Sequence, residues 1–397
     1  MNPQASSSDR PRKRVVILGG GYAGLSTAIL LGRERATYDV TLVDASEFYL
    51  SSIQLHRTVH TALSELQTRY QLLADKYNFR FLHEHLDFDR SLLPMWADAG
   101  SLPTGAGRLE FDYLCLCTGA GSVPIENETE SELIGTRLFP LDYLKRHSLH
   151  SILAEYLERR KSSENPTEQA PITVVGGGAT GIQFLFELDD HLKKTGRPYQ
   201  LRLVDLESRI MHALSSGFHD YVTKRLRERG IEYNPGVRFR KQEADTLIGE
   251  VVSDGSELRL PSEMTLLFPG VSPRPFSMRA NHHGQLEVAG TILPKVFAAG
   301  DCAHYDGRGM NAPAAQAAVR KGRLIAENIK RSDQRSNLQS YAYPELGYFL
   351  SMGPWDGIGW MLVRFNVLTG VAAFAIKEAI ELQFRLFLEG VDTYIDL

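Results

Sequence analysis

The chain has 397 residues, 43% of them apolar and 23% charged, with a formal net charge of −4. So long a chain predicts two or three domains, and this composition excludes disordered and fibrous classes. The charge balance leaves no electrostatic footprint for nucleic acid, and three cysteines, Cys115, Cys117 and Cys302, are too few for a disulfide framework, which points to a reducing cytoplasmic compartment.

Residues 1–14 are basic and rich in Ser and Pro, and the apolar run after them, residues 15–18, is too short for an export signal. Val15-Val16-Ile17-Leu18 reads instead as a buried parallel strand. Gly19-Gly20-Gly21-Tyr22-Ala23-Gly24 then matches G-x-G-x-x-G, residues 25–31 have helical composition, and Val40-Thr41-Leu42-Val43 is a second strand ending at Asp44. In such a unit Gly19 makes the tight turn, Gly21 lets the backbone approach a pyrophosphate, and Gly24 lets the helix pack on the strand. The helix N-terminus offers N–H groups to the phosphates, and Asp44 is placed to accept hydrogen bonds from a ribose.

Farther along, Cys115 and Cys117 alternate in a predicted strand and share one face as small buried hydrophobes. Residues 161–169 read as an exposed loop. The first unit then recurs: Ile172-Thr173-Val174-Val175, the turn Gly176-Gly177-Gly178-Ala179-Thr180-Gly181, a helix from about Ile182, and Leu201-Arg202-Leu203-Val204 ending at Asp205. Two fingerprints imply two dinucleotides, with an electron or hydride relay between them as the natural use. Asp205 would meet a 2′-phosphate with a carboxylate, which favours NADH over NADPH, although Arg209 is close in sequence.

Pro313 suits the first turn of a helix whose free N–H groups would stabilise negative charge on a bound redox group. On that helix Gln316 and Arg320 lie four apart, hence on one face, and can frame an electron acceptor; the alternative for Gln316 is an ordinary polar helix residue. Residues 331–339 read as a polar linker. From Val371 onward, Lys377, Glu378, Glu381 and Arg385 fall on one helical face, opposite Val371, Ala375, Ala379, Leu382 and Leu386. That predicts either an interfacial membrane helix or a helix packed on the core or on a second subunit. No run of about 18 apolar residues is present, so no membrane-spanning helix is expected. The 12 histidines show no metal-ligand spacing. His304, shortly after Gly300-Asp301, is read as structural or as a neighbour of the bound cofactor, and His56 and His60 as candidates for the acceptor side.

These motifs, together with Phe111-Asp112-Tyr113-Leu114-Cys115-Leu116-Cys117-Thr118-Gly119, residues 295–303 and residues 315–322, resemble those of the two-dinucleotide-binding-domain flavoproteins. Within them they resemble the type II NADH:quinone oxidoreductases, from about Arg14 to about Gly359. The resemblance implies an α/β fold of two Rossmann-like three-layer dinucleotide-binding domains (the glutathione-reductase-like FAD/NAD(P) fold) plus a C-terminal helical region. It divides the chain into 1–120 and 271–330 for FAD, 121–270 for an inserted NAD domain, and 331–397 for a region with a membrane- or dimer-associating helix. FAD would be held by Gly19, Gly21, Tyr22, Ala23, Gly24, Asp44, Thr118, Gly119, Gly300, Asp301, Ala315 and Gln316. NADH would be held by Gly176, Gly178, Gly181 and Asp205, and the reacting side formed by Gln316, Arg320 and Gln183.

Three residue patterns depart from the family. Gly181-Ile182-Gln183 carries an amide where the family usually has Glu, although Glu187 lies one turn later; Arg320 replaces the second Gln of A-Q-x-A-x-Q-x-G; and Leu266-Leu267-Phe268-Pro269-Gly270 stands for I-W-A-A-G. The implied activity is hydride transfer from NADH to FAD and then two electrons to a quinone, without proton pumping. The implied setting is a homodimer in monotopic contact with the cytoplasmic face of a membrane. The departures keep open a soluble relative acting on an anionic quinonoid or polyketide-like metabolite anchored by Arg320, and a redox-sensing interaction protein like the apoptosis-inducing-factor relatives. Disulfide reductases and sulfide:quinone reductases of this fold need cysteine pairs, and no cysteine precedes Cys115, so a thiol mechanism is not expected.

Overall fold

The computed structural model describes residues 11–123, 135, 137–161 and 169–394. Residues 1–10, in the basic N-terminal stretch, and 162–168, in the expected exposed loop, lie outside these, as does the very end of the chain.

Eight strands make the larger sheet, in the order Ala303–Tyr305, Met278–Ala280, Gln285–Val288, Thr291–Ala298, Tyr113–Leu116, Lys13–Leu18, Tyr38–Asp44 and Arg80–His83. Its centre is parallel: Lys13–Leu18 pairs with Tyr38–Asp44 on one side and Tyr113–Leu116 on the other, and Tyr113–Leu116 pairs with Thr291–Ala298. Val15 and Ile17 enter one core, Val16 and Leu18 the other, which is why this strand is apolar throughout rather than alternating.

Five parallel strands make the second sheet, in the order Leu138–Pro140, Met264–Leu267, Ala170–Val175, Tyr199–Asp205 and Glu232–Pro235. Between the sheets two legs run side by side. Ala120–Ser122 pairs antiparallel with Val271–Pro273, the Arg274 N–H donates to the Gly119 carbonyl at 3.0 Å, and the Thr118 hydroxyl donates to the Arg274 carbonyl.

The helix Ala315–Asp333 runs into the segment expected to be a linker. Its apolar stripe continues through Ile325 and Ile329, both fully buried, and Lys330 and Arg331 in the last turn suit the negative end of the helix dipole. It lies directly on the helix Tyr22–Gly32: a Cβ on Gly322 would sit 2.3 Å from the Ala23 carbonyl oxygen, and the Thr27 hydroxyl donates to the Gly322 carbonyl at 3.0 Å.

The region after it is not helical alone. Gly347–Ser351, Gly357–Met361 and Val367–Thr369 form a three-stranded antiparallel sheet before the last helix, Gly370–Glu389. Leu350, Ile358 and Trp360 of this sheet join the core of the second unit. Glycines at 353, 357 and 359 mask the strand signal, because close backbone approach needs them: a Cβ on Gly359 would lie 2.0 Å from the Phe349 ring. The last helix packs by the face carrying Ala373, Lys377, Glu381, Phe384 and Phe387, and turns Val371, Ala375, Ala379 and Leu382 outward.

Candidate functional site

The two glycine turns have the same geometry. Gly19 has φ +98° and Gly176 φ +108°, and a Cβ on either would strike backbone, at 2.4 Å from the Cys117 oxygen and 2.3 Å from the Phe268 oxygen. On Gly24 and Gly181 a Cβ would lie 1.9 Å from the oxygens of Gly19 and Gly176, so each helix rests on its own turn. On Gly21 and Gly178 it would meet nothing within 4 Å. Those two positions open the cradles, and each is the N-cap of a helix with no side-chain cap and no acid in its first turn. The free N–H groups and open space fit the diphosphate of a dinucleotide.

The acids pin the turns. Asp44 accepts from the Gly20 N–H at 2.6 Å and the Ser46 N–H at 2.8 Å, and Asp205 accepts from the backbone of Gly177 and Glu207. Burial raises both carboxyls above the ordinary carboxylate range. In the first turn the Tyr70 hydroxyl donates to the Gly20 carbonyl at 2.9 Å, with its ring where a Cβ of Gly20 would be. Tyr70 has no motif around it, and nothing in the sequence marks it.

The register of Leu116 with Ala298 puts Thr118 and Gly119 beside Gly300 and Asp301 at the C-terminal ends of neighbouring strands. The Ala314 backbone N–H donates to Asp301, bringing Ala315 and Gln316 to the same place, and this helix also starts without a side-chain cap. Beneath lies Lys321, 2% exposed, whose ammonium donates to the Ala303 carbonyl at 2.6 Å and sits 4.8 Å from the centre of the Tyr305 ring. Burial pulls its amine down to about 8, while the charge of Asp301 acts the other way.

On the far side of the second glycine helix, Ala179–Thr195, the Gln183 amide nitrogen donates to the Ser351 hydroxyl oxygen at 3.1 Å, and Ser351 lies 3.2 Å from His56 Nε2. Glu381 of the last helix receives Lys377, Arg57 at 2.6 Å and Gln54 at 3.1 Å, and Arg57 also reaches Glu378. Gln316 donates to Gln383 at 2.8 Å, and the Tyr22 ring packs on Phe384 at 4.7 Å and on Tyr49 at 5.7 Å. Glu187, the nearest carboxylate to Gln183 in sequence, is tied to His60 at 3.0 Å.

The structure thus brings Gln183, Gln316 and Tyr22 toward one helix, places the candidate His56 beside Ser351, and adds Ser351, Lys377 and Glu381, which no motif marks. Arg320 is placed differently, its guanidinium 5.2 Å and 5.5 Å from the centres of the Tyr343 and Tyr394 rings, beside a groove of about 410 Å³ shared with Arg323 and Lys330. His304 is exposed on an edge strand, so it is not a buried structural residue. All three cysteines are free and buried, and burial pushes every one of their thiols up, away from the reactive thiolate.

The chain matches the pyridine nucleotide-disulphide oxidoreductase family over residues 13–319. It is 25% identical over 405 aligned positions to the type II NADH:quinone oxidoreductase of Staphylococcus aureus strain NCTC 8325 / PS 47, covering 96% of this chain and 97% of that protein. Among solved structures it is similar to NDH2 from Plasmodium falciparum in complex with NADH, with a TM-score of 0.77, 13% identity and coverage of 94% and 95% of the two chains. It is also similar to the sulfide:quinone oxidoreductase of Aquifex aeolicus, with a TM-score of 0.76, 19% identity and coverage of 96% and 92%. At these identities the likeness to the solved structures speaks to the fold.

Proposed function

The chain belongs to the pyridine nucleotide-disulphide oxidoreductase family, and from that premise we propose that it is an FAD-dependent NADH:quinone oxidoreductase of the type II kind. The observation that carries this reading is the pair of uncapped cradles in two separate sheets, open at Gly21 and Gly178. The full-length similarity to the Staphylococcus aureus enzyme supports it.

In this reading residues 1–120 and 271–330 build the FAD unit, 121–270 the NADH unit, and 331–397 close the acceptor side. FAD, when bound, accepts a hydride and gives electrons on in pairs. Gly19, Gly21, Gly24 and Asp44 would hold its adenosine diphosphate end, and Thr118, Gly119, Gly300 and Asp301 the remainder. The N-terminus of Ala315–Asp333 turns N–H donors and a positive dipole end toward negative charge there. Gly176, Gly178 and Gly181 would hold NADH, and the Asp205 carboxylate opposes a 2′-phosphate, which selects NADH. Gln316, bonded to Gln383 of the last helix, and Gln183, bonded to Ser351, would line the reacting side. Arg320, stacked on two tyrosine rings, has a packing role in this account, so no observation favours the anionic-metabolite reading that needs it as an anchor.

Among the described residues no helix is long and apolar enough to cross a membrane. The contact we propose is monotopic: the hairpin tip with Leu362 (74% exposed) and Phe365 (88% exposed), continued by Val371 and Leu382 on the outer face of the last helix. The test of the whole reading is anaerobic reduction of the purified yellow protein by NADH, followed by addition of short-chain ubiquinone and menaquinone analogues. Rapid bleaching and repeated turnover with quinone are expected. A flavin that NADH reduces but no quinone reoxidises would overturn it.

A further inference from the structure

Gln183 stands two residues after Gly181, in the first turns of the helix that begins at the second cradle, and its side chain points into a row of hydrogen bonds with a fixed direction. At the far end of that row is His56, 4% exposed, in the turn Ser52–Val59. Its neighbours with charge or titratable groups are Lys377 from the last helix and Arg57 and His60 from its own segment, with Glu381 bound to both Lys377 and Arg57. Burial first, and then those three neighbours, hold its imidazolium well below the usual histidine range, so the ring is neutral and carries one N–H.

The Gln183 amide nitrogen, which can only donate, faces the Ser351 hydroxyl oxygen, so the single imidazole N–H belongs on Nδ1 and Nε2 is left as an acceptor. The Ser351 hydroxyl, 3.2 Å away, must therefore donate to Nε2, and its oxygen accepts from the Gln183 amide N–H at 3.1 Å. Each bond sets the sense of the next. The amide nitrogen of Gln183 is committed to Ser351, and its carbonyl oxygen Oε1, which has no hydrogen-bond partner among the described residues, is the end presented outward.

The row lies between the two cradles. His56 and Arg57 meet the last helix at Lys377 and Glu381, and one turn farther along that helix Phe384 meets Tyr22, the first residue of the first glycine helix. With NADH on the second cradle, Gln183, two residues after Gly181 on the helix that starts there, would stand beside a nicotinamide extending toward the first cradle. The ring's carboxamide ends in an NH2 group, two donors that need an acceptor once removed from water.

We propose that His56 and Ser351 are positioning residues that lock the Gln183 amide with its carbonyl oxygen toward the cofactor, where it accepts the carboxamide N–H of the nicotinamide and so orients the ring for hydride transfer. This inference rests on the NADH reading of the second cradle. It assigns to a neutral amide, set by a serine and a histidine from two distant segments, the recognition of the reacting ring.

Equilibrium binding to the flavin-loaded protein tests it without turnover, using NAD+, its 3-acetylpyridine analogue, in which the NH2 is replaced by a methyl group, and ADP-ribose, which has no ring. Wild type should bind NAD+ about tenfold more tightly than the analogue, the scale of one satisfied buried hydrogen bond. Ser351→Ala and His56→Leu should each reduce that ratio to about twofold, with affinities referred to ADP-ribose to remove any general loosening. His56→Gln, whose amide oxygen can still accept from Ser351, should keep most of the discrimination, which a merely structural role for His56 would not produce. Equal affinity of wild type for NAD+ and the analogue, or full discrimination surviving in both Ser351→Ala and His56→Leu, overturns the proposal while leaving the NADH site intact. Failure of both NAD+ and ADP-ribose to bind overturns the reading of the second cradle and this inference with it.

Discussion

Gly21 and Gly24 stand three residues apart in one turn and are expected to fail in opposite ways when given side chains. A Cβ on Gly21 enters open space, whereas on Gly24 it would lie 1.9 Å from the Gly19 carbonyl oxygen. Gly21→Val should therefore fold, show wild-type far-UV circular dichroism and bind FAD at least about a hundredfold more weakly, roughly 2.7 kcal/mol. Gly24→Val should not accumulate as folded protein; stoichiometric FAD in purified Gly21→Val would remove the first cradle from the site. Lys321 gives a second residue-scale expectation, in pH. Its amine is held at about 8 in the folded protein against an ordinary 10.5, so between those values the unfolded chain binds a proton that the folded chain does not. Stability must then rise with pH across that window, by up to roughly 3 kcal/mol, and the buried ammonium is a burden below it. The urea-unfolding free energy of wild type relative to Lys321→Met should climb accordingly from pH 7 to pH 10. A flat difference would show that Lys321 is better solvated or better paired than its burial implies. The glycines and the two acids are legible in sequence because phosphate approach and tight turns admit almost no other residue. Tyr70 and Lys321 are not, because tyrosines and lysines serve many purposes and only a folded neighbour reveals which.

The last helix shows how an element's pattern can be read correctly and its orientation remain open. The sequence sets Lys377, Glu378, Glu381 and Arg385 on one face and Val371, Ala375, Ala379, Leu382 and Leu386 on the other. In the structure Lys377 and Glu381 are buried together with Ala373, Phe384 and Phe387, whereas Arg385 is exposed and Val371, Ala375, Ala379 and Leu382 turn outward. Lys377 and Glu381 can turn inward because each meets a partner there: Glu381, 4% exposed, gathers Lys377, Arg57 and Gln54 into one cluster. Removing the acid alone leaves buried cations without a counter-charge, so Glu381→Ala should destabilise the protein by about 3–5 kcal/mol. Lys377→Met combined with Glu381→Leu, which removes the pair together, should recover a large part of that loss. Urea unfolding of the three proteins at pH 7 checks both expectations. Equal stability of Glu381→Ala and wild type would mean that the cluster does not clamp this helix. For the helix Ala315–Asp333 the sequence put Pro313 in the first turn, whereas it precedes the N-cap Ala314. It also ended the helix too early, since Arg331 is polar for the dipole and Asp333 accepts from the Tyr113 hydroxyl rather than starting a linker.

At the scale of the whole molecule, the inward charges leave an apolar surface outside, from Phe365 and Leu362 at the hairpin tip to Val371 and Leu382 on the helix. Burying a large apolar side chain contributes about 1.5–3 kcal/mol, so Leu362→Glu with Phe365→Glu should lower binding to phospholipid vesicles by well over tenfold. Turnover with a short-chain quinone should be kept, because the tip is remote in sequence from both cradles. Unchanged vesicle binding, together with dissociation of a dimer in sedimentation, would assign this face to a second copy of the chain instead. The sequence by itself determined the two strand–glycine-turn–helix units, with their glycines and acids, because strand, turn and helix signals are local and recur within some thirty residues. The tertiary structure alone decided which face of the last helix is buried, that the final region contains a sheet, and that Gln183, Ser351 and His56 form one directed row. The sheet pairs neighbouring segments whose glycines hide the strand pattern. The buried face and the row instead depend on partners more than a hundred residues apart, and no local periodicity carries information about which distant group will satisfy a buried charge or donor.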